Sequence, residues 1–130
     1  MQEGVSGEAC SLAGHLGLGK LIVFYDDNEI TIDGNTNLSF SEHVQKRYEA
    51  YGWHVQQVED VVTQLGDLRA AGKSAQEVTD KPSIIACKTF IGYGSCPTKQ
   101  GSHSAHGAPL GKDDLAGTKK FYVADVKAFF

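Results

Sequence analysis

The hydrophobic positions of this chain alternate between helical spacing and short apolar runs. From Val5 to Leu16 they recur every three or four residues, which predicts a first helix that stops at Gly17 and Gly19. The uniformly apolar run Leu21–Tyr25 is too short for an amphipathic helix. It therefore predicts a central strand of a parallel sheet.

A second helix is predicted after residue 38. Ser39 and Glu42 have the spacing of a capping box, in which two side chains close the first turn of a helix. Apolar positions then continue at helical spacing from Phe40 to Tyr51, and Gly52 follows as a stop signal.

The same alternation continues in the second half of the chain. Residues 53–58 alternate well enough for a strand, and residues 65–78 have helical spacing, although Gly72 weakens that helix by roughly 1 kcal/mol relative to alanine. Pro82 ends the helix, and residues 83–90 form a third apolar strand.

Strands that alternate with helices require parallel pairing and right-handed crossovers, so the predicted fold is α/β, part of a doubly wound parallel sheet with flanking helices. Three strands make only part of such a sheet, and at least one strand edge is expected to stay open. Residues 91–111 carry five glycines and predict a long loop that is either functional or disordered. Residues 112–120 predict a short closing helix.

Composition and charge argue against some classes of binding partner. With 130 residues, 41% hydrophobic and 22% charged, the chain has the size and composition of one globular domain. The net charge of −4 and the scattered lysines and arginines argue against nucleic acid, and no apolar run approaches the roughly 18 residues of a membrane span. An odd number of cysteines fits a reducing compartment, and no role is assigned to Cys10, Cys87 or Cys96.

Candidate chemistry begins where the first strand ends. Asp26, Asp27 and Asn28 follow the apolar run, and the segment closes at Gly34. Carboxylate, amide and main-chain oxygens at the carboxyl end of a parallel strand suit Mg²⁺, which is usually shared with phosphate. The alternative is that these residues only form a turn.

A zinc site is a second alternative, built from two cysteines and two histidines: Cys87, Cys96, His103 and His106. Zinc modules usually place ligands in close pairs such as C-x₂₋₄-C and H-x₃₋₅-H. The spacing in this chain departs from that pattern and argues against zinc.

Four segments together resemble transketolase, in its thiamine-diphosphate (ThDP) binding half. They occur in the family's order and are Gln2-Glu3-Gly4-Val5-Ser6-Gly7-Glu8-Ala9, residues 13–23, residues 26–34 and Gly101-Ser102-His103-Ser104-Ala105-His106-Gly107-Ala108-Pro109-Leu110-Gly111. The resemblance implies a ThDP-binding fold, with the diphosphate domain over residues 1–120. Residues 121–130 would begin the connection to a pyrimidine-binding domain.

The resemblance implies the chemistry of a complete enzyme. ThDP and Mg²⁺, for which Ca²⁺ can substitute, would support transfer of a two-carbon ketol unit from a ketose phosphate to an aldose phosphate, in the pentose phosphate pathway. That enzyme would be a cytoplasmic homodimer, and the 130-residue chain alone would be inactive. Dihydroxyacetone synthase shares these motifs and remains an alternative, as does a non-catalytic interaction module of transketolase origin.

The resemblance also implies roles for individual residues. Asn28 would bind Mg²⁺ through its side-chain oxygen and touch the diphosphate, and Ile30 would bind Mg²⁺ through its main-chain carbonyl. Ile32 would be an apolar wedge beside the thiazolium, or else a core residue. His106 would reach the diphosphate and a donor-sugar hydroxyl as the catalytic residue, or else be a solvated loop histidine. Glu3 would join an acidic network between subunits, or else favour a helix dipole.

Several positions depart from the family's pattern. A Gly-Asp-Gly motif, whose aspartate is the principal Mg²⁺ ligand in the family, would precede the segment matched by residues 1–4 and is absent from the chain. Met1 is therefore expected to match an internal position of a longer protein, and the chain says nothing about a targeting segment. Residues 61–62, Gly72 and residues 96–98 also depart from the family, away from Asn28, Ile30 and His106.

Overall fold

The computed structural model describes residues 3–122. Within that range the helices and strands, in chain order, are α1 (Gly4–His15), β1 (Ile22–Asp27), β2 (Ile30–Thr31), β3 (Gly34–Asn35), α2 (Val44–Ala50), β4 (His54–Val58), α3 (Leu65–Glu77), β5 (Ser83–Lys88) and α4 (Lys112–Phe121). Short 3₁₀ helices cover Thr36–Leu38 and His103–Ala105. Among residues 3–122, none of the helices has the length and apolar character that a bilayer-spanning segment needs.

The described residues divide into two units. The first contains the residues up to Asp27 together with Phe40–Thr89, and the second contains Asn28–Ser39 and the residues from Phe90 onward. The boundary after Asp27 coincides with the end of β1.

The first unit is built on a parallel sheet in the order β1-β5-β4. Ile22 pairs with Ser83 at the start of β1, and His54 pairs with the same Ser83 at the start of β4. The prediction that Leu21–Tyr25 is the central strand is therefore wrong for the described sheet. β5 takes the centre, where neighbours on both sides bury five of its six residues, whereas Phe24 of β1 remains 55% exposed.

Alternate residues of β5 build two separate hydrophobic clusters. Ile84 belongs to a cluster with α1 and α2, and Ile85 belongs to a cluster with β4 and α3. Since successive strand residues point to opposite faces of a sheet, helices cover both faces. The predicted α/β class with a parallel sheet and flanking helices is confirmed.

Tyr48 of α2 is the largest fully buried side chain in the first cluster. Its ring meets that of Trp53 edge to face, with centroids 5.1 Å apart, and its hydroxyl lies 3.2 Å from the sulfur of Cys10. The indole of Trp53 donates to the carbonyl of Cys10 at 2.8 Å, so α1 and the end of α2 are held by both packing and hydrogen bonds. Burial raises the pKa of the Tyr48 hydroxyl.

The predicted capping box does not form. α2 begins at Val44 after His43, which makes no side-chain cap, and Ser39 instead ends the 3₁₀ turn that Asn35 caps. Glu42 forms an ion pair with Arg47 at 2.6 Å rather than closing the helix start. The first helix, the strand near residues 53–58, the helix over Gly72 and the closing helix lie near their predicted positions, within a few residues at each end.

The second unit has its own contacts between α4 and the start of the long loop. The rings of Tyr93 and Phe121 pack edge to face with centroids 5.6 Å apart, and the hydroxyl of Tyr122 donates to the carbonyl of Tyr93 at 2.7 Å. A Cβ on Gly94 would lie 2.7 Å from both the Phe121 and Tyr122 rings, so glycine is required at this close approach. The remainder of the predicted connection, residues 123–130, lies outside the described residues.

Candidate functional site

Asn28 and Ile30 are joined by a short local hydrogen bond. The main-chain N–H of Ile30 donates to the side-chain oxygen Oδ1 of Asn28 at 3.0 Å, which makes an Asx turn directly after β1. Glu29, between them, has φ of 58° and is the only residue other than glycine with a positive φ among residues 3–122.

The register of the next hairpin decides where the Ile30 carbonyl points. Thr36 donates its N–H to the Glu29 carbonyl at 2.9 Å, and Ile30 is paired with Asn35 in the antiparallel ribbon. In an antiparallel ladder, hydrogen-bonded pairs alternate with pairs that exchange no main-chain bonds. Glu29 and Thr36 are joined by a main-chain hydrogen bond, so the next pair, Ile30 and Asn35, exchanges no main-chain bonds. The N–H and C=O of one strand residue point to the same side, so the Ile30 carbonyl faces the side from which Asn28 approaches.

Ile32 lies at the turn of the same hairpin and is 66% exposed. The alternative prediction of a core isoleucine is therefore wrong. The threonine that opens the turn, Thr31, donates its hydroxyl to the Gly34 carbonyl at 2.9 Å, which holds the two ends of the turn together. An apolar side chain is thus presented from a braced turn close in sequence to Asn28 and Ile30.

His106 lies in the same unit, at the end of the 3₁₀ helix His103–Ala105. Its side chain is exposed and its N–H donates to the His103 carbonyl at 2.9 Å. Ser102 caps this turn by accepting from the N–H of Ser104 at 3.2 Å. The histidine is therefore on an ordered loop rather than on an unstructured one.

Further contacts brace the loop that carries His106. Lys99 donates to the Ser104 carbonyl at 3.4 Å, and the N–H of Gly101 donates to the Ile91 carbonyl at 2.8 Å. Sequence reasoning expected one long glycine-rich loop and missed this turn. The serine two residues before Ser104 was the local signal that could have indicated it.

Glu3 lies in the first unit, at the N-cap position of α1. Its carbonyl accepts from both the N–H and the hydroxyl of Ser6, at 3.1 and 2.7 Å, while its side chain makes no capping bond. The carboxylate is therefore exposed at the beginning of a helix, in a different unit from Asn28, Ile30, Ile32 and His106.

The acidic residues before Asn28 stay with the first unit. Asp26 accepts a hydrogen bond from the hydroxyl of Thr89, which follows β5. Burial, followed by the charge of Asp26, raises the pKa of the Cys87 thiol. The carbonyl of Asp27 accepts from the N–H of Thr89 at 3.3 Å, so both aspartates help to join the carboxyl ends of β1 and β5.

The oxygen donors that the turn offers to a cation are neutral. A carboxamide oxygen has two lone pairs, of which the Ile30 N–H uses one, so Asn28 retains an acceptor direction. Among the described residues, no three His, Cys, Asp or Glu side chains are grouped as metal ligands. An amide oxygen and a carbonyl on one side of a strand fit a hard cation such as Mg²⁺, which takes its remaining ligands from water and phosphate.

Comparison with known proteins places the chain in a family. The family model described as "Transketolase, thiamine diphosphate binding domain" matches residues 1–130. The chain belongs to the transketolase family.

Individual members of the transketolase family are close in sequence and in structure. The chain is 56% identical over 117 residues to the chloroplast transketolase-1 of Arabidopsis thaliana, covering 90% of this chain and 16% of that protein. It superposes on the Pichia stipitis transketolase in complex with sedoheptulose 7-phosphate with a TM-score of 0.90 and 47% identity, covering 98% of this chain and 18% of that one. The Leishmania mexicana transketolase gives a TM-score of 0.90 at 48% identity, covering 97% and 18%.

The transketolase relatives are much longer than this chain. The chain spans 18% of the Pasteurella multocida transketolase 1, to which it is 56% identical over 121 residues. The comparisons establish family membership and the ThDP-binding domain for these residues. A match to so small a part of each relative does not establish the reaction, substrates or partners of a whole enzyme.

Proposed function

We propose that the chain is the diphosphate-binding part of a transketolase that transfers a two-carbon ketol unit from a ketose phosphate to an aldose phosphate, in the pentose phosphate pathway. ThDP supplies the electron sink for this chemistry when bound. The work of this chain is to hold the Mg²⁺ diphosphate and to orient the donor sugar. The single observation that carries the proposal is the Asx turn between Asn28 and Ile30, in a chain matched by the ThDP-binding family model over its whole length.

Asn28 and Ile30 are the proposed Mg²⁺ ligands. The carboxamide oxygen of Asn28 is already held within the turn, and the Ile30 carbonyl faces the same side of the ribbon. A preorganised pair loses little rotamer freedom when the cation binds. Asn28 would also donate its NH₂ group to a diphosphate oxygen, and exposed Ile32 would pack against the thiazolium ring.

His106 is the proposed catalytic residue of the loop. An imidazole can donate to phosphate and, near neutral pH, exchange a proton with a sugar hydroxyl. The exposed position of His106 after the capped turn leaves its ring accessible to both groups. In the complete enzyme its ring would contact both the diphosphate and the donor sugar.

The complete enzyme is proposed to be a homodimer in the cytoplasm, with Glu3 in a network between subunits. α1, which Glu3 precedes, has a second apolar stripe in addition to its packed face. Val5, Leu12 and Leu16 lie on this stripe at 71%, 56% and 58% exposure. Burial of this stripe against a second subunit would bring Glu3 into the interface. The cysteines among the described residues are free thiols, which agrees with the reducing environment of the cytoplasm.

Titration calorimetry of the chain with ThDP, with and without Mg²⁺, tests the cofactor site. We expect weak binding that requires Mg²⁺ and is lost in Asn28→Ala. Asn37→Ala is the matched control, because Asn37 is exposed in the neighbouring 3₁₀ helix, where only its main-chain N–H is used. Binding that is indifferent to Asn28 would contradict the assigned ligands. Absence of any Mg²⁺-dependent binding would favour a non-catalytic module.

A further inference from the structure

Among residues 3–122, Glu29 alone combines a side chain with a positive φ, and it separates the two proposed ligands. Its φ of 58° is in the left-handed region, where a Cβ crowds the following carbonyl oxygen. Glycine, asparagine and aspartate enter this region readily, and glutamate does so only at a cost. Glu29 is exposed, so burial of its side chain does not explain the conformation.

Two hydrogen bonds hold the single peptide group that joins Glu29 to Ile30. The Ile30 N–H donates to Asn28 Oδ1 at 3.0 Å, and the Thr36 N–H donates to the Glu29 carbonyl at 2.9 Å. The first bond closes the Asx turn, and the second ties the turn to the hairpin that begins with Ile30 and ends with Asn35. The first bond requires the chain to turn back at residue 29, and the second is an ordinary bond of the antiparallel ladder.

The left-handed turn also determines the direction of the proposed ligand atoms. Because Ile30 and Asn35 do not exchange main-chain bonds, the Ile30 N–H and carbonyl both face outward from the ribbon. The turn at Glu29 brings the Asn28 carboxamide back to that same side, where it meets the N–H. An extended backbone at residue 29 would carry the carboxamide away from Ile30 and separate the two oxygens.

We infer that Glu29 is a positioning residue: its left-handed backbone, rather than its carboxylate, assembles the Asn28 and Ile30 oxygens into a pair before any cation binds. The identity of the pair as Mg²⁺ ligands rests on the proposed function. The assembly of the pair rests on the turn alone. Strained backbone of this kind is common at ligand sites, where surrounding contacts maintain it.

Two neutral substitutions separate conformation from charge. Glu29→Asn and Glu29→Val both remove the carboxylate, but asparagine tolerates a positive φ and β-branched valine does not. Amide hydrogen exchange of Ile30, followed by NMR, reports the Asx turn without any cofactor. We expect exchange at Ile30 to be about tenfold faster in Glu29→Val than in Glu29→Asn, in line with the cost of a left-handed residue. Equal exchange in the two variants would overturn the inference.

The second measurement is Mg²⁺-dependent ThDP binding by calorimetry in the same variants. Binding about tenfold weaker in Glu29→Val than in Glu29→Asn supports the inference. Equal weakening in Glu29→Asn, Glu29→Val and Glu29→Gln would show that the carboxylate matters instead and would overturn it. If wild type binds no ThDP with Mg²⁺, the proposed cofactor site fails, and the Ile30 exchange comparison still decides the role of Glu29.

A further variant covers the case in which Glu29→Val does not fold, as judged by circular dichroism. Glycine adopts a positive φ without steric cost, so Glu29→Gly should keep the slow exchange of Ile30. Loss of that protection in a folded Glu29→Gly chain would contradict the inference, because the required backbone remains accessible.

Discussion

The main-chain oxygen of Tyr51 occupies the place where a side chain on Gly14 would begin. A Cβ on Gly14 would come within 1.9 Å of that oxygen, because α1 passes directly against the end of α2. A methyl group cannot be accommodated without moving one helix.

Gly14→Ala should therefore destabilise the chain by about 3 kcal/mol or more, as an overpacked contact with rigid backbone does. Gly72→Ala in α3 is the matched control, because a Cβ there meets only the Phe24 ring at 4.0 Å. That control should raise the free energy of unfolding by about 1 kcal/mol through helix propensity. Urea denaturation of the three chains checks both signs, and equal stability of Gly14→Ala and wild type would contradict the close contact.

Asp60 should make stability depend on pH in the acid range. Its carboxylate accepts from the hydroxyl of Thr63 and from the N–H groups of Thr63 and Val62, and these bonds lower its pKa. A lowered pKa contributes stability above the unfolded value, about 3.9, that is lost as pH falls through the folded value. Wild type should be more stable than Asp60→Asn at neutral pH. The difference in stability should disappear once the pH falls below the folded-state pKa of Asp60. A difference that persists in strong acid would contradict this prediction.

Cys87 should be the least reactive of the three thiols. It is 6% exposed on β5, and burial and the nearby Asp26 raise its pKa, so little thiolate forms near neutral pH. We expect iodoacetamide to modify Cys87 at least about tenfold more slowly than the partly exposed Cys96 under native conditions. Peptide mass spectrometry with time measures both rates, and unfolding in urea should bring them together.

A carboxylate added before Met1 should strengthen the proposed cation site. The turn supplies the Asn28 and Ile30 oxygens, both neutral, and the resemblance to transketolase predicts an anionic ligand in a Gly-Asp-Gly motif before this segment. A carboxylate about 4 Å from a divalent cation gains roughly 2 kcal/mol even at the dielectric of water. Two extended chains are compared, one with Gly-Asp-Gly and one with Gly-Asn-Gly before Met1. Because about 1.4 kcal/mol corresponds to a tenfold change in affinity, the chain with Gly-Asp-Gly should bind ThDP with Mg²⁺ more than tenfold more tightly. Equal affinities would mean that the site lies elsewhere.

His106→Ala, made in the complete enzyme that contains this chain, should lower kcat by about 100-fold and leave the fold intact, because a group that exchanges a proton acts in the transition state. His103→Ala is the matched control, since His103 is exposed in the same turn and has no assigned role. Steady-state kinetics with a ketose phosphate and an aldose phosphate measures both. Equal kcat values for the two variants would remove His106 from the mechanism.

The sequence by itself determined the type and order of the main elements and the family. Hydrophobic spacing is a local property, so it indicated a helix up to Leu16, strands near residues 53–58 and 83–90, and a helix that continues through Gly72. The third strand ends two residues earlier than predicted, at Lys88. The family motifs are local as well, and the whole-chain family match agrees with them.

The tertiary structure decided which strand is central and how the predicted ligands are held. β5 lies at the centre because it has a neighbouring strand on each side, whereas β1 has one neighbouring strand within the described sheet. No local pattern in Leu21–Tyr25 indicates how many neighbouring strands β1 has. Ile32 is apolar yet exposed because hairpin register places it at the turn. The Asn28–Ile30 pair depends on the left-handed backbone of Glu29 and on the bond from Thr36, which form only when the hairpin closes.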